Sequence, residues 1–353
     1  MDAARGLRSS LGPVGAGAEA RKGADPSESQ AQAMQRLRKR IGEQDTEIRE
    51  LRARLAEGAA NAGQGGIRPE NVVWILGFPR TGSTWLAHMM EELDEHAVWR
   101  EPYVGALFGN LYYDWVGEKH FETRHFVLGP RFRDSWLRSI RAFILSEANV
   151  RFPGLGKDGY LVIKEPNGSV GAPLLVGALP ESRMIFLLRD PRDVVASRLD
   201  SVRKGSWLYQ RRVEEGGGRT AMFNMQENAL VEKTANGYLR SVRNVKEAYE
   251  THEGPRVLVK YEDMRADALG TMKRIYSTLG IPVENGALER SVREHAWEAI
   301  PEDQKGEGKF HRKATPGGWR EDLTPEQVAA VERITAPLLE EFYPAVDGEK
   351  ARP

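Results

Sequence analysis

The stretch from Asn71 to Leu93, NVVWILGFPRTGSTWLAHMMEEL, constrains the fold more than any other part of the chain. Val72 to Leu76 is a short apolar run, rich in β-branched residues and bounded by Gly77 and Pro79, which predicts a buried strand. Small polar residues and then a helical apolar pattern follow, so we predict a strand, a tight loop and a helix. Such a loop directs backbone N–H groups and the positive end of the helix dipole at one place. We therefore expect the loop to bind a phosphate or a sulfate.

The spacing of this loop approaches that of nucleoside-triphosphate loops without matching it. The pattern GxxxxGK[ST] requires a lysine where this chain has Ser83, and the cation lies inside the loop instead, at Arg80. A loop without that lysine grips the β and γ phosphates of a triphosphate poorly. We therefore expect a ligand with one oxyanion group clamped here, and a purely structural turn is the alternative.

Composition and charge exclude several classes of protein. The 353 residues include 51 basic and 51 acidic side chains, so no net charge favours nucleic acid or an anionic membrane as partner. The absence of cysteine excludes disulfides and thiolate chemistry. No apolar run approaches the roughly 20 residues that cross a bilayer, and the first residues lack a secretory apolar core. We expect a cytoplasmic protein without a nucleic-acid or membrane partner; a transit peptide within residues 1–23 is the alternative.

The N-terminal part of the chain has its own organisation. Residues 1–29 offer little apolar surface and are predicted to be disordered. Residues 30–57 carry an apolar seam in steps of three and four, which predicts a coiled-coil helix and includes Met34, Leu37, Ile41, Gln44, Ile48, Leu51 and Leu55. We favour a homodimer through residues 34–55 over a single helix lying on the domain. A flexible linker (58–66), the catalytic domain (67–345) and a tail (346–353) follow.

Two carboxylates and a lysine stand where predicted strands end. Tyr160 to Ile163 reads as a strand and is followed by Lys164, Glu165 and a proline. Earlier in the chain, Glu101 also precedes a proline, which biases it toward an extended conformation. Ligands of open α/β sheets bind beyond the carboxyl ends of the strands, so all three residues are site candidates. A surface ion pair is the alternative for an isolated Lys–Glu pair.

A second anion site is predicted after the most apolar strand. Arg183 to Leu188 (RMIFLL) runs directly into Arg189, Asp190 and Pro191. Asp190 can cap a helix that begins at Pro191, and Ser197 lies further along that helix. A guanidinium beside a helix N-terminus suits an anion. Two such sites imply a ligand with two separated phosphate-like groups.

Three motifs resemble those of the sulfotransferases that use 3′-phosphoadenosine 5′-phosphosulfate (PAPS). FPRTGSTWL (Phe78 to Leu86) looks like their 5′-phosphosulfate loop, and RDPRDVVAS (Arg189 to Ser197) looks like their 3′-phosphate motif. FHRKATPGGWRE (Phe310 to Glu321) is similar to their F-x-R-K-G-x-x-G-x-W-K segment, with Ala314 in place of the usual glycine. The resemblance covers most of residues 70–325. It implies an α/β fold with a central parallel sheet flanked by helices, the P-loop-like sulfotransferase fold.

The resemblance also implies the roles of residues toward the donor. Arg80 would contact the 5′-phosphate and the bridging oxygen, Lys164 would share that work, and Trp85 would lie against the adenine. The other implied donor-binding residues belong to the three motifs: Thr81, Gly82, Ser83, Thr84, Arg189, Ser197, Arg312 and Lys313. The product would be adenosine 3′,5′-bisphosphate, and the family's chemistry requires no metal.

The general base has several candidates. Cytosolic members of the family carry a histidine where this chain has Glu165, whereas carbohydrate-type and several bacterial members use a glutamate beyond the loop helix, which matches Glu101. We favour Glu101 over Glu165, and we expect burial to raise the pKa of whichever carboxyl acts. For the rivals His88, His96 and His125 we favour helix-surface or loop roles.

The sequence thus predicts a PAPS-dependent sulfotransferase that modifies a hydroxyl or amine of a small-molecule or carbohydrate acceptor by in-line displacement. One alternative is a P-loop nucleotide kinase or hydrolase, which the missing loop lysine disfavours. Another is a non-catalytic coiled-coil scaffold that retains the nucleotide fold. Residues 201–220, with a triple glycine at 216–218, are predicted to form either a lid over the acceptor or a disordered excursion.

Overall fold

The computed structural model describes Gly42 and residues 66–116, 125–214 and 222–344. The chain divides between Ala60 and Asn61 into two units, and the fold described below is that of the second. Gly42 apart, the predicted disordered segment and coiled coil lie outside the described residues. So do most of the linker, the triple glycine of the predicted lid and the C-terminal tail.

A five-stranded parallel sheet forms the centre of this unit, with the strand order β2-β3-β1-β4-β5. The strands are β1 (Val72–Gly77), β2 (His96–Arg100), β3 (Tyr160–Lys164), β4 (Arg183–Leu188) and β5 (Arg256–Lys260). The strand order reverses at β1, because the chain builds β2 and β3 on one side of it and β4 and β5 on the other. A reversal of this kind opens a crevice at the carboxyl ends of the strands, where such sheets bind ligands.

Helices connect the strands and cover both faces of the sheet. Those in the described residues are α1 (Ser83–Glu91), α2 (Val104–Val116), α3 (Arg133–Arg151), α4 (Ala172–Ala178), α5 (Pro191–Val202), α6 (Trp207–Glu214), α7 (Glu227–Thr251), α8 (Tyr261–Ala266), α9 (Ala268–Leu279), α10 (Asn285–Glu294), α11 (Trp319–Asp322) and α12 (Pro325–Phe342). Short 3-10 turns occur at Pro69–Asn71, Pro130–Phe132, Pro166–Gly171, Trp297–Ala299 and Glu302–Gln304. No helix in this part of the chain is both long and apolar enough to cross a membrane.

Strand β1 is buried along its whole length. Trp74 and Leu76 belong to the core formed with α3, α4 and α7, whereas Val73 and Ile75 belong to the core formed with α1 and α9. Burial of both faces explains why the strand reads as a continuous apolar run rather than an alternating one. The indole Nε1 of Trp74 donates a hydrogen bond to Ser182 Oγ at 3.1 Å, which satisfies the polar atom of the buried ring.

The predicted fold class, a parallel sheet flanked by helices, is confirmed by this arrangement. The predicted strands that begin at Val72, Tyr160 and Arg183 start at those residues. The sequence prediction lacks β2. That strand lies at the edge of the sheet and is buried only at Val98, and its apolar run is only three residues long, from Ala97 to Trp99. The predicted cap is present: Asp190 Oδ1 accepts a hydrogen bond from Arg192 N at 2.8 Å.

Candidate functional site

The loop between β1 and α1 ends at a glycine that the structure requires. Gly82 has a φ of 87°, and a Cβ at this position would lie 2.5 Å from the ring of Tyr261. No side chain caps α1. The first N–H groups of a helix have no acceptor within the helix, so those that begin α1 remain available to a ligand.

A cavity of about 230 Å³ opens at this helix N-terminus. The loop residues that line it are Arg80, Gly82, Ser83, Thr84 and Trp85. Four further cations line it, Arg189, Arg265, Arg312 and Lys313, against one carboxylate, Glu294. Cations in such excess within a cleft attract an anionic ligand.

Arg80 lies in the middle of the loop and is partly buried. Its φ of 77° is in the left-handed region that a non-glycine residue rarely adopts. Its Nε donates a hydrogen bond to Ser197 Oγ at 3.0 Å, and its guanidinium carbon lies 5.6 Å from the ring centroid of Trp207. Burial, together with the positive charges of Arg198 and Arg189, lowers the pKa of Arg80 to about 10. The guanidinium is therefore still charged at neutral pH, among other cations that a bound anion would offset.

Arg189 lies at the carboxyl end of β4 and reaches the same cavity. Its Nη1 donates a hydrogen bond to the carbonyl oxygen of Arg80 at 3.0 Å, across 109 residues of sequence. Its guanidinium carbon lies 4.3 Å from the ring centroid of Tyr261. The Nε of Arg189 is buried and has no hydrogen-bond partner within the described residues. A buried donor without an acceptor is costly, so this atom fits a phosphate oxygen in the cavity.

The segment that carries Arg312 and Lys313 is fastened to α5. Asp193 Oδ2 accepts a hydrogen bond from Gly317 N at 2.7 Å, and Oδ1 accepts one from Trp319 N at 3.0 Å. Burial raises the pKa of Asp193. Both cations are paired with acids: Arg312 Nη1 lies 2.7 Å from Asp322 Oδ2, and Lys313 Nζ lies 3.0 Å from Asp322 Oδ1. Because Arg312, Lys313 and Ala314 line the cavity, this segment forms one of its walls.

Trp85 also lines the cavity. Its indole Nε1 donates a hydrogen bond to the carbonyl oxygen of His295 at 2.8 Å, and the guanidinium of Arg265 lies 5.6 Å from its ring centroid. Arg265 Nε also donates to the carbonyl oxygen of Ala314 at 2.9 Å. The backbone of Ala314, where the family motif has glycine, is therefore in use within the wall.

A second polar cluster lies at the end of β3. Lys164 pairs with Ile75 of β1 in the sheet, and its Nζ lies 2.5 Å from Glu101 Oε1. Glu101 Oε2 accepts a hydrogen bond from Asn167 Nδ2 at 2.7 Å. The Glu101 side chain is 22% exposed. Neither Lys164 nor Glu101 lines the cavity described above. Lys164 lies beside β1, from which the Arg80 loop emerges, and it holds Glu101 next to it.

Glu165 has a different environment from Glu101. It is fully buried, at 0% exposure, and accepts hydrogen bonds from Tyr103 N (3.0 Å) and Gly105 N (3.1 Å), where α2 begins. Burial raises the pKa of Glu165 to about 7 against the opposing effect of these N–H groups. Glu165 therefore has a raised pKa, whereas Glu101 is the more exposed of the two carboxylates.

Several residues have places that the sequence did not indicate. Thr81 is fully buried, and its hydroxyl donates to the carbonyl oxygen of Phe78 at 2.8 Å rather than lining the cavity. His88 lines the cavity, and burial lowers its pKa. His96 belongs to β2, whereas His125 is an exposed turn residue.

The cavity residues that the sequence prediction missed are Tyr261, Arg265, Glu294, His295, Trp297, Ile300 and His311. Tyr261 had a signal, because it directly follows the end of β5, as Arg189 follows β4. His311 lies inside the FHRKATPGGWRE motif, but the sequence analysis gave it no role. The remaining residues lie on α8, on α10 and in the chain just beyond α10, where their spacing carries no recognisable pattern.

The fold and the site together define a parallel α/β protein with a glycine loop, a second arginine site and a cationic cavity between them. A family model described as the sulfotransferase family matches residues 73–285, more than half of the chain. The chain belongs to the sulfotransferase family.

Individual relatives are distant. Cytosolic sulfotransferase 16 of Arabidopsis thaliana is 26% identical over 45% of this chain and 52% of its own length. Carbohydrate sulfotransferase 1 of Danio rerio is 29% identical over 30% of this chain and 24% of its own. The chain spans about half the length of the Arabidopsis relatives that it matches. The structure of sulfotransferase STF9 from Mycobacterium avium is 17% identical, covers 82% of this chain and 81% of its own, and superposes with a TM-score of 0.50, a likeness of fold.

Proposed function

We propose that this protein transfers a sulfuryl group from PAPS to a hydroxyl or amine of a small-molecule or carbohydrate acceptor. The observation that carries the proposal is the meeting of Arg80 and Arg189 in one cavity, joined by a 3.0 Å hydrogen bond. Arg80 follows strand β1 and Arg189 follows strand β4, and both line the cavity. A ligand with two separated phosphate groups could therefore contact one of these cations with each group. Membership of the sulfotransferase family supports the same assignment.

The donor-binding residues divide between the two phosphate groups. The N–H groups that begin α1, with Ser83, Thr84 and Arg80, suit the 5′-phosphosulfate end. Arg189, with its unpaired Nε, suits the 3′-phosphate, and Ser197, Arg312 and Lys313 complete that end. The ring of Trp85 is available as one wall for the adenine.

When bound, the donor supplies a sulfuryl group already activated as a mixed anhydride. The protein must then supply positive charge for the leaving oxygen and an acceptor for the proton of the attacking hydroxyl. Arg80 lies in the loop after β1, and Lys164 lies at the end of the neighbouring strand β3. We assign the positive charge for the leaving oxygen to these two cations. In the described residues no group of three or more His, Asp or Glu side chains is arranged to hold a metal ion.

We assign the role of general base to Glu101. Its carboxylate is partly exposed, adjoins Lys164 and lies beside the strand that leads to Arg80. Glu165 is fully buried, and both of its oxygens accept backbone N–H groups of the chain entering α2. These contacts suit a residue that positions the Glu101 segment better than one that accepts a substrate proton.

Calorimetric titration tests the donor site. We expect adenosine 3′,5′-bisphosphate to bind more tightly than ATP with magnesium. Arg189→Ala should weaken bisphosphate binding by about tenfold or more, the loss expected for a charge-assisted hydrogen bond. Arg333→Ala is the matched control, since Arg333 lies on α12, is 70% exposed and faces Glu232 at 3.6 Å. Tighter binding of ATP with magnesium would favour a kinase and overturn the proposal.

Turnover separates the two carboxylates. With PAPS and a library of phenols, sugars and hydroxylated natural products, release of the bisphosphate should require an acceptor. Glu101→Gln should leave bisphosphate binding intact and slow turnover about a hundredfold or more, the range expected for a general base. Glu165→Gln should retain turnover. The reverse result would assign the role of general base to Glu165. If the wild type binds the bisphosphate but shows no turnover, the protein would instead be a non-catalytic scaffold.

The remaining parts of the proposal concern assembly and location. A homodimer through residues 34–55 and a cytoplasmic location stay predictions from the sequence. Sedimentation of the full chain, compared with a chain that begins at residue 61, would test the first.

A further inference from the structure

Arg198 is a cation that the donor site does not use. It lies on α5 directly after Ser197, whose hydroxyl accepts the hydrogen bond from Arg80. Arg198 does not line the donor cavity, although its charge acts on Arg80 more strongly than that of any other neighbour. Arg198 is also within electrostatic reach of Tyr103, which follows Glu101 by two residues. It is therefore close both to the Arg80 loop and to the chain that follows Glu101.

The guanidinium of Arg198 is partly buried and has no ion-pair or hydrogen-bond partner among the described residues. The two nearest arginines in the sequence are paired: Arg192, on the same helix, contacts Asp190 at 2.7 Å, and Arg203, directly after the helix, contacts Glu307 at 2.8 Å. A half-buried cation without a partner has lost part of its hydration, which is unfavourable. An anionic group on a ligand would remove that cost.

An apolar stripe begins at the same place. Leu107 and Leu111 lie four residues apart on one side of α2, Tyr103 directly precedes the helix, and the three are 58%, 45% and 50% exposed, respectively. Exposed large apolar residues that run in line from a catalytic segment mark a contact surface for an apolar ligand. The stripe starts two residues after Glu101, at Tyr103, which is the residue within electrostatic reach of Arg198.

We propose that the acceptor is an amphipathic hydroxy acid. Its hydroxyl would lie at Glu101, its apolar body along the stripe of Tyr103, Leu107 and Leu111, and its carboxylate or other anionic group at Arg198. The inference rests on the proposed function and narrows its substrate class. Arg198 is then a residue that determines acceptor specificity.

Binding of matched probes to the bisphosphate-saturated protein tests this inference without turnover. The probes are 3-hydroxy-2-naphthoate and 6-hydroxy-2-naphthoate, each with its uncharged methyl ester, titrated calorimetrically at neutral pH. We expect at least one acid to bind the wild type about tenfold or more tightly than its ester, as for one charge-assisted hydrogen bond. Arg198→Ala should abolish that difference, Arg198→Lys should keep part of it, and Arg333→Ala should keep all of it.

The apolar half of the proposal has its own variant. Leu107→Gln changes a side chain that is 58% exposed, so folding should be unaffected, and acid and ester should both bind more weakly. Equal binding of acids and esters by the wild type, or binding of neither, would overturn the inference. So would equal losses for acid and ester in Arg198→Ala. Failure of the bisphosphate itself to bind would instead count against the proposed function.

Discussion

Glu165 should make the stability of this protein depend on pH in a way that a single substitution removes. Its pKa rises from an ordinary 4.5 to about 7 because the carboxyl is buried. One pKa unit corresponds to about 1.4 kcal/mol, so complete ionisation of Glu165 in the folded protein costs about 3 kcal/mol. The folded state binds the proton more tightly than the unfolded state. The contribution to stability is therefore fully present below pH 4.5 and is lost as the pH rises through 7.

Glu165→Gln removes the titration at nearly constant shape. One amide oxygen can accept a hydrogen bond from Tyr103 N or from Gly105 N, but the NH₂ group then faces the other donor. That mismatch should cost about 1–3 kcal/mol at every pH. The wild type should therefore be the more stable protein at pH 5. Between pH 5 and pH 8.5 it should lose roughly 2–3 kcal/mol relative to the variant.

Urea unfolding followed by circular dichroism at several pH values measures this difference, provided that the slope with denaturant is the same for both proteins. Glu340→Gln is the control, because Glu340 is an exposed residue of α12 without an ion-pair partner in the described residues, so its substitution should leave the stability nearly unchanged. A free-energy difference between wild type and Glu165→Gln that stays constant from pH 5 to pH 8.5 would refute the reasoning. Glu165 would then not be a buried carboxyl with a raised pKa.

Two further predictions concern the walls of the donor cavity. Gly82→Ala should weaken bisphosphate binding by more than about tenfold, because the new Cβ would displace the Tyr261 ring beneath Arg189. Gly205→Ala is its control, because Gly205 has a similar φ of 86° but open space around it. This substitution should cost only about 1–2 kcal/mol of stability. Equal binding losses in both variants would contradict the explanation. Asp193→Asn should lower the free energy of unfolding in urea by about 1–3 kcal/mol, and calorimetry should show weaker bisphosphate binding. The reason is that one amide oxygen cannot accept hydrogen bonds from both Gly317 N and Trp319 N, which fasten the segment that carries Arg312 and Lys313. Unchanged binding would mean that this segment does not depend on Asp193.

The sequence by itself determined the local units of the site. The apolar run of β1, the glycine loop and the capped start of α5 depend on contacts between near neighbours, so residue type and spacing reveal them. The position of Arg189 was also predictable, because it directly follows the apolar run of strand β4. The sequence analysis missed the edge strand β2, because the strand is mostly exposed and its apolar run is only three residues long.

Only the tertiary structure decided which of these units meet. Glu101 and Glu165 look alike in sequence, since each precedes a proline, yet one is paired with Lys164 at the surface and the other is buried beneath α2. The unpaired state of Arg198 is equally invisible in the sequence. The reason is physical: the exposure and charge of a side chain depend on groups that strand order brings together from distant parts of the chain, and local propensity does not encode them.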